Sequence, residues 1–366
     1  MLKYLKNAWY AAAFADELDD APLARKLLDR DMVLFRLEDG GIALLGDRCP
    51  HRFAPLSAGK VVGNEIQCPY HGLQFDRLGQ CSRNPHMKGG GPLRAARVDS
   101  WPVTEKYGVV WFWPGDPEMA DPAAIPSIAF LDQPDRFSVV KGLLHVRGHY
   151  ELVVDNLLDL SHASYIHPQF GGSAYTPDQL LAATTQKLER RDRSIVNHRV
   201  RNGLAAPAPS QALFGFDAIT PCHTKSTMTW YPPAILDFDA GTWIEGTPEE
   251  DGAHIPQMHC ITPETEFTSH YFFVNGRNQR RDDPAVDQIL LDVFDLAFGQ
   301  QDEPMIEMVQ RRMGAISDIN ELDPILLQTD AAPVAARRLL ARLIAAEQTE
   351  AADGAAARDD AQIAAE

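Results

Sequence analysis

The sequence predicts an α+β protein in two domains, and three observations carry that prediction. In the first third, short apolar runs are punctuated by turn residues, the pattern of antiparallel strands joined by hairpins. Between Pro114 and Pro126 a stretch rich in Pro, Asp and Ala follows neither period and reads as a linker. Beyond it, strand-like runs are interrupted by two segments with apolar residues at helical spacing, Leu152 to Ile166 and Val286 to Ala297. We therefore expect an all-β domain over residues 1–115 and a linker over 116–129. A second domain, with an antiparallel sheet and C-terminal helices, should cover 130–347. The Ala, Asp, Glu and Gln composition predicts a disordered tail over 348–366.

The 366 residues are 45% hydrophobic and 23% charged, the balance of a globular chain able to bury a sizeable core. A formal net charge of −17 argues against general affinity for nucleic acid or an anionic membrane, because the surplus of Lys and Arg is missing. An anionic substrate would need a local pocket of positive or hydrogen-bonding groups. No run approaches the roughly 18–20 apolar residues of a transmembrane helix. The apolar run after Lys3 and Lys6 is too short for a secretion signal. Five cysteines, odd in number and sparse, do not make a disulfide framework. The expected compartment is the cytoplasm.

In the first domain, Met32–Leu37, the turn Glu38–Gly41 and Ile42–Leu45 read as a hairpin, and Val109–Trp113 as a buried strand. Set into this pattern are Cys49-Pro50-His51 and, after sixteen intervening residues, Cys68-Pro69-Tyr70-His71-Gly72. Each pair joins a soft thiolate to an imidazole, and three structures could use them. A disulfide leaves the histidines idle and suits a secreted chain. A Cys₂His₂ zinc site fits the ligand types. A [2Fe–2S] centre with two cysteines on one iron and two histidines on the other uses all four. Pro after each Cys and Gly72 after His71 favour the third, since they suit backbone packed against sulfides that need N–H donors. Cys81 and His86 read as structural.

The second domain opens on the strand-like Phe137–Val140 and enters Asp155–His167. There Leu152, Val153, Leu157, Leu160 and Ile166 form an apolar face, while Asn156, Asp159 and His162 recur at three-residue steps. Polar groups in a buried helix need partners or a cation, because an unpartnered one costs roughly 1–3 kcal/mol. His162 and His167 lie five apart, diverging by roughly 140° on an ideal helix. The helix must distort or end there, and Pro168 with Gly171-Gly172 predicts an end. From Leu188 to Trp243 the alternation predicts a curved antiparallel sheet with long loops. Met258–Thr265 and His270–Val274 read as neighbouring strands, with His259 on the same face as Ile261, where spacing allows either a cavity-facing or a core histidine. Cys222 and Cys260 read as inert buried thiols. A helix follows from Pro284, with Val286, Ile289, Leu290, Val293 and Ala297 on one face. By spacing alone Asp302 or Glu303 reads as a cap before Pro304. A last amphipathic helix covers Ala335–Ile344.

Cys-Pro-His-Arg and Cys-Pro-Tyr-His-Gly-Leu-Gln-Phe resemble the two loops of Rieske proteins. Together with Asp-Asn-Leu-x-Asp-Leu-x-His-x-x-x-x-His they resemble the terminal oxygenases of the Rieske non-haem iron family, in the branch of vanillate and dicamba O-demethylases. The resemblance covers nearly the whole chain. It implies a Rieske domain followed by a helix-grip-like (START/Bet v1-like) catalytic domain. It assigns Cys49, His51, Cys68 and His71 to a [2Fe–2S] cluster, and His162, His167 and Asp302 to a mononuclear Fe(II), with Glu303, Asp295 and Glu307 as alternatives to Asp302. The cluster would have a potential of about −150 to +300 mV, against about −400 mV for plant-type clusters. Asp159 would relay electrons between the cluster of one subunit and the iron of its neighbour, and Asn156 would stand beside the iron.

His259 matches a histidine that contacts the substrate carboxylate in the dicamba enzyme, and Asp237 falls near an asparagine of that site. An aspartate there would repel a carboxylate, which argues against a simple benzoate. The implied partners are O2, a small aromatic substrate, a ferredoxin or NAD(P)H-dependent reductase, and two further copies in a head-to-tail trimer. The implied reaction is oxidative demethylation releasing formaldehyde, or hydroxylation of a substituted aromatic such as a methoxybenzoate. A ring cis-dihydroxylating dioxygenase α subunit or an aromatic N-dealkylase would use the same ligands. A bare electron carrier would leave Asp159, His162 and His167 unexplained.

Overall fold

The computed structural model describes residues 3–167 and 175–363, with side chains through residue 350. The predicted helix end at Pro168 and Gly171-Gly172 lies outside the described residues. The chain divides into two compact units, one of residues 1–125 with 262–265 and 343–366, the other of 126–261 with 266–342. The division at 125/126 falls within the stretch expected to link two domains.

The first unit is built from short antiparallel strands: β1 (Tyr10–Phe14), β2 (Leu23–Leu27), β3 (Arg30–Arg36), β4 (Ile42–Gly46), β5 (Lys60–Val62), β6 (Glu65–Gln67), β7 (Gln74–Phe75), β8 (Cys81–Arg83), β9 (Val103–Lys106) and β10 (Val109–Phe112). They form three sheets, ordered β1-β10-β9, β2-β3-β4 and β5-β6-β7-β8. The small residues of β1 make room for large ones on β10, with Ala11 opposite Trp111. The β3–β4 hairpin turns at Asp39-Gly40, where Asp39 Oδ1 accepts from the Gly41 N–H at 2.9 Å and Gly40 takes φ +85°. The linker is laid back on this unit: Asp116 and Asp121 cap single turns, and the Trp9 indole donates to the Asp121 carbonyl at 2.8 Å.

The second unit carries an eight-stranded antiparallel sheet made of β11 (Ser138–Val146), β12 (Thr184–Arg190), β13 (Ile195–Ala205), β14 (Pro221–Tyr231), β15 (Ile235–Ile244), β16 (Ala253–His254), β17 (Gln257–Thr265) and β18 (Thr268–Arg277). The order is β11-β18-β17-β15-β14-β13-β12, with β16 paired to β15. The expected neighbours β17 and β18 are neighbours. Helix Pro284–Phe294 buries Val286, Leu290 and Phe294, whereas Ile289, expected on that face, is exposed. Phe294 stacks on Phe273 at 3.6 Å between centroids, and Gly142 opposite admits the ring, since a Cβ there would lie 2.4 Å from it. The last helix runs Ala331–Ile363, so backbone expected to be a disordered tail continues as helix.

The stretch around Asp155 is not one helix. A first helix, Tyr150–Leu158, ends at Asp159, whose φ of −108° and ψ of 89° are non-helical; a 3₁₀ turn, Leu160–His162, leads into a second helix, Ala163–Ile166. The first is anchored at Arg337, whose guanidinium meets Asp155 at 2.7 Å and Glu151 at 3.3 Å. Burial pushes the Glu151 carboxyl up to about 7 against the pull of Arg337. Removing the cation leaves two acids buried without a counter-charge, so Arg337→Ala is expected to cost about 3–5 kcal/mol in a urea-unfolding measurement. A loss below about 1 kcal/mol, typical of exposed pairs, would show that the network is not an anchor.

Candidate metal centres and active site

The two Cys-His loops repeat one backbone. Cys49 N–H donates to Ala54 O and Phe53 N–H to Cys49 O; likewise Cys68 N–H donates to Leu73 O and Gly72 N–H to Cys68 O. The fifth residue of each loop has positive φ, +60° at Phe53 and +72° at Gly72. Gly72 also faces the Pro85 ring, which a Cβ would approach to 3.3 Å. This paired construction brings His51 and His71 to a ring separation of 4.4 Å.

All five cysteines are free, and Cys49 and Cys68 are both buried, which removes the disulfide reading. Burial pushes the Cys49 thiol up to about 11, while the backbone N–H groups of His51 and Arg52 bond to it and pull the other way. His71 Nδ1 is buried without a hydrogen-bond partner. Two buried thiols with N–H donors aimed at one of them, beside an orphaned ring nitrogen, fit an iron–sulfur cluster held by Cys49, His51, Cys68 and His71. Cys81, also buried, bonds through Sγ to the Arg83 carbonyl. His86 Nε2 lies 3.0 Å from the His71 carbonyl oxygen, so both residues are structural supports of the loops.

In the second unit, ligand atoms of His162, His167 and Asp302 lie within 4.8 Å of one another. His162 Nε2 is 3.5 Å from Asp302 Oδ1 and His167 Nε2 is 3.1 Å from Asp302 Oδ2. The break at Asp159 and the end of the short helix at Ile166 let two histidines five apart converge. Each ring is aimed from behind: His162 Nδ1 lies 2.6 Å from the Asp159 carbonyl oxygen and His167 Nδ1 2.7 Å from Gln301 Oε1. Such outer bonds fix the tautomer that turns Nε2 toward a metal. Asn156 Nδ2 donates to Asp302 Oδ1 at 3.1 Å.

Asp302 closes a π-helical segment, Asp295–Asp302, set between helices Pro284–Phe294 and Glu303–Met313, and it makes no capping bond. The alternatives are engaged elsewhere: Glu303 and Glu307 with Arg147, and Asp295 with Gln300. Burial works to lower the His167 pKa, but its bonds to Asp302 and Gln301 outweigh it and raise it. Positive charge is favoured at this point, and two imidazoles with one carboxylate are the facial donor set of mononuclear ferrous iron.

These three residues open onto a cavity of about 670 Å³. Its wall includes Phe238, Phe294, Phe298, Leu157 and Leu290, together with Arg199 and Arg201. Two of the sequence-predicted contacts are placed differently. His259 shares the inward face of β15 and β17 but is fully buried; its ring lies 6.0–6.4 Å from those of Phe238, Phe294 and Phe298, which line the cavity in front of it. Its Nδ1 meets Tyr271 Oη at 2.9 Å, Nε2 has no partner, and burial lowers its pKa to about 3.

Asp237 alternates with the cavity-lining Phe238 and so projects from the opposite face of β15, away from the site. Burial, with Asp239 second, pushes its carboxyl up to about 7. A folded-state pKa above the unfolded value stabilises fully below the unfolded pKa, and the contribution is lost as pH rises through about 7. Asp237→Asn is therefore expected to raise Tm more at pH 8 than at pH 5, and equal shifts would refute the buried acid. Spacing missed Gln301, Arg199, Arg201 and the Phe238–Phe294–Phe298 wall; the alternation of Arg199 and Arg201 about Val200 was the available signal.

Comparison with known proteins agrees with both centres. Residues 8–102 match the Rieske [2Fe-2S] domain and residues 146–346 the vanillate O-demethylase oxygenase C-terminal domain. The chain is 38% identical to the dicamba O-demethylase oxygenase component of Stenotrophomonas maltophilia, over 96% of this chain and 100% of the other. It is 36% identical to the chloroacetanilide N-alkylformylase oxygenase component of Rhizorhabdus wittichii, over 94% and 97%. The crystal structure of dicamba monooxygenase with non-haem iron and dicamba superposes with a TM-score of 0.79 at 37% identity, covering 96% of this chain and 99% of that one. Among the described residues no helix is long and apolar enough to cross a membrane. With a Rieske cluster site in its first unit and an iron site in its second, this chain belongs to the Rieske non-haem iron oxygenases, as an oxygenase component of the vanillate O-demethylase type.

Proposed function

We propose that this oxygenase demethylates a substituted aromatic compound in the cytoplasm, in a head-to-tail trimer supplied with electrons from NAD(P)H through a reductase or ferredoxin. The observation that carries this reading is that His162, His167 and Asp302 open onto one cavity walled by three phenylalanines. Rieske cluster and ferrous iron, when bound, supply the electrons and the activation of O2. The chain's own residues do the rest. Phe238, Phe294 and Phe298 hold an aromatic ring by apolar and edge or face contact. Asn156 and Gln301 keep Asp302 and His167 in place. Asp159 lies next to His162, where it serves as the polar bridge to a neighbouring subunit.

The balance is a methoxyarene, O2, NAD(P)H and a proton giving a phenol, formaldehyde, water and NAD(P)⁺. One oxygen atom enters a methyl C–H bond, and the resulting hemiacetal releases formaldehyde. The chloroacetanilide N-alkylformylase relative keeps N-dealkylation as a second reading.

The test is oxygen uptake with formaldehyde detection, using iron-loaded protein and a surrogate reductase, across methoxybenzoates, N-alkyl aromatics and methylarenes. Formaldehyde in step with oxygen for methoxyarenes supports demethylation. The same result only for N-alkyl substrates moves the reading to N-dealkylation. A dihydrodiol without formaldehyde overturns both in favour of a dioxygenase.

A further inference from the structure

We infer that Arg199 and Arg201 form an anion-binding subsite in this cavity, so that the enzyme selects aromatic substrates bearing a carboxylate or sulfonate held by these two guanidiniums. The inference rests on the aromatic-oxygenase reading above and deepens it. Arg199 and Arg201 stand two apart on β13, which puts both side chains on one face, and both line the cavity with Thr184 and Thr224, the register partners of Arg201. Arg201 Nε is buried without a hydrogen-bond partner. A guanidinium has five donors and no acceptor, so burial leaves it in need of oxygen atoms.

Among the described residues, the cavity wall offers them no free carboxylate. Asp302 is the single acid among the described residues of the cavity wall, and it is already shared by Asn156, His162 and His167. Residues 168–174 contain no Asp or Glu. Burial lowers the pKa of both arginines; Asp159 opposes this at Arg199, whereas at Arg201 the Arg199 charge adds to it and Tyr175 opposes. Two like charges facing one apolar cavity, in a chain of net charge −17, are satisfied by an oxoanion that bridges both forks. His259 is buried behind the phenylalanine wall and held neutral, and Asp237 points away, so neither carries this charge.

The test compares 6-methoxy-2-naphthoate with its neutral carboxamide, binding to the holoenzyme being followed by ligand fluorescence. A cavity of about 150 Å³ takes benzene, so 670 Å³ admits a two-ring probe. The parent is expected to bind the carboxylate at least about tenfold more tightly than the amide, and Arg201→Gln to remove that preference while leaving amide binding within about twofold. Arg201→Lys should keep part of the preference, and His259→Phe all of it. Parental mononuclear iron content and far-UV circular dichroism report folding of the second unit, and if Arg201→Gln does not fold, Arg199→Gln and Arg201→Lys carry the same comparison. Equal binding of both probes, equal weakening of both by Arg201→Gln, or loss of the preference in His259→Phe would overturn the subsite while leaving the aromatic cavity intact. Binding of neither probe would overturn the aromatic reading as well.

Discussion

Asp302→Ala is expected to strip the mononuclear iron from the protein while leaving the visible spectrum of the cluster unchanged. Replacing partners that merely orient a metal ligand costs about 10–100-fold in affinity, and we propose Asp302 as a ligand itself, so the loss should exceed that range. Among the described residues, the substitution removes the one carboxylate within reach of both histidines, and it takes from Asn156 Nδ2 and His167 Nε2 the oxygen atoms they face. Two imidazoles that no longer share an anion also lose the electrostatic preference for a divalent cation that Asp302 creates. Equilibrium dialysis against ferrous iron reads the affinity, and formaldehyde release should fall with it. Iron binding at parental affinity would move the third ligand elsewhere, although Glu303, Glu307 and Asp295 are each engaged with other groups.

Asp159→Asn should do the opposite, keeping both metals and losing turnover. Asp159 sits at the break between two helical pieces, where Oδ1 accepts from the Ser161 N–H and Oδ2 from the Ser161 hydroxyl, each at 2.9 Å, and its own carbonyl aims His162. Asparagine retains the carbonyl and one accepting oxygen, so local geometry and iron should persist. What it loses is the negative charge and the second acceptor, which a bridge to a protonated histidine of another subunit requires. A fall in formaldehyde release of about 10²–10⁴-fold is expected, the range for removing a group that handles a proton in the rate-limiting transition state. Parental turnover in this variant, with full iron and cluster content, would sink the relay.

Much of this architecture is legible in one dimension because its signals are local. The hairpin at Glu38–Gly41 is written by its turn residues. The cluster loops are written by Cys-Pro-His and Cys-Pro-Tyr-His-Gly, since four ligands and their supports lie within 24 residues, Cys49–Gly72. The two histidines, five apart, already demanded that the helix distort or end there, and the short helix ends at Ile166 with His167 outside it. Asp302 was different. Spacing alone favours a cap, because the carboxylate joins its histidines across more than a hundred residues of sheet, and only a resemblance or a fold can bring such partners together.

By itself, then, the sequence determined the donor types and the order of the two units, because ligand chemistry and turn chemistry depend on residue identity over a few positions. Which residues face the cavity was decided only by tertiary structure. Strand alternation turns Asp237 out of the site and Phe238 into it, and three phenylalanine rings stand between the cavity and His259. The pairing of β13 with β12 and β14 aims Arg199 and Arg201 into the cavity. A one-residue change of register would have reversed the facing of Asp237, Phe238, Arg199 and Arg201, and register is set by the whole sheet rather than by any single strand.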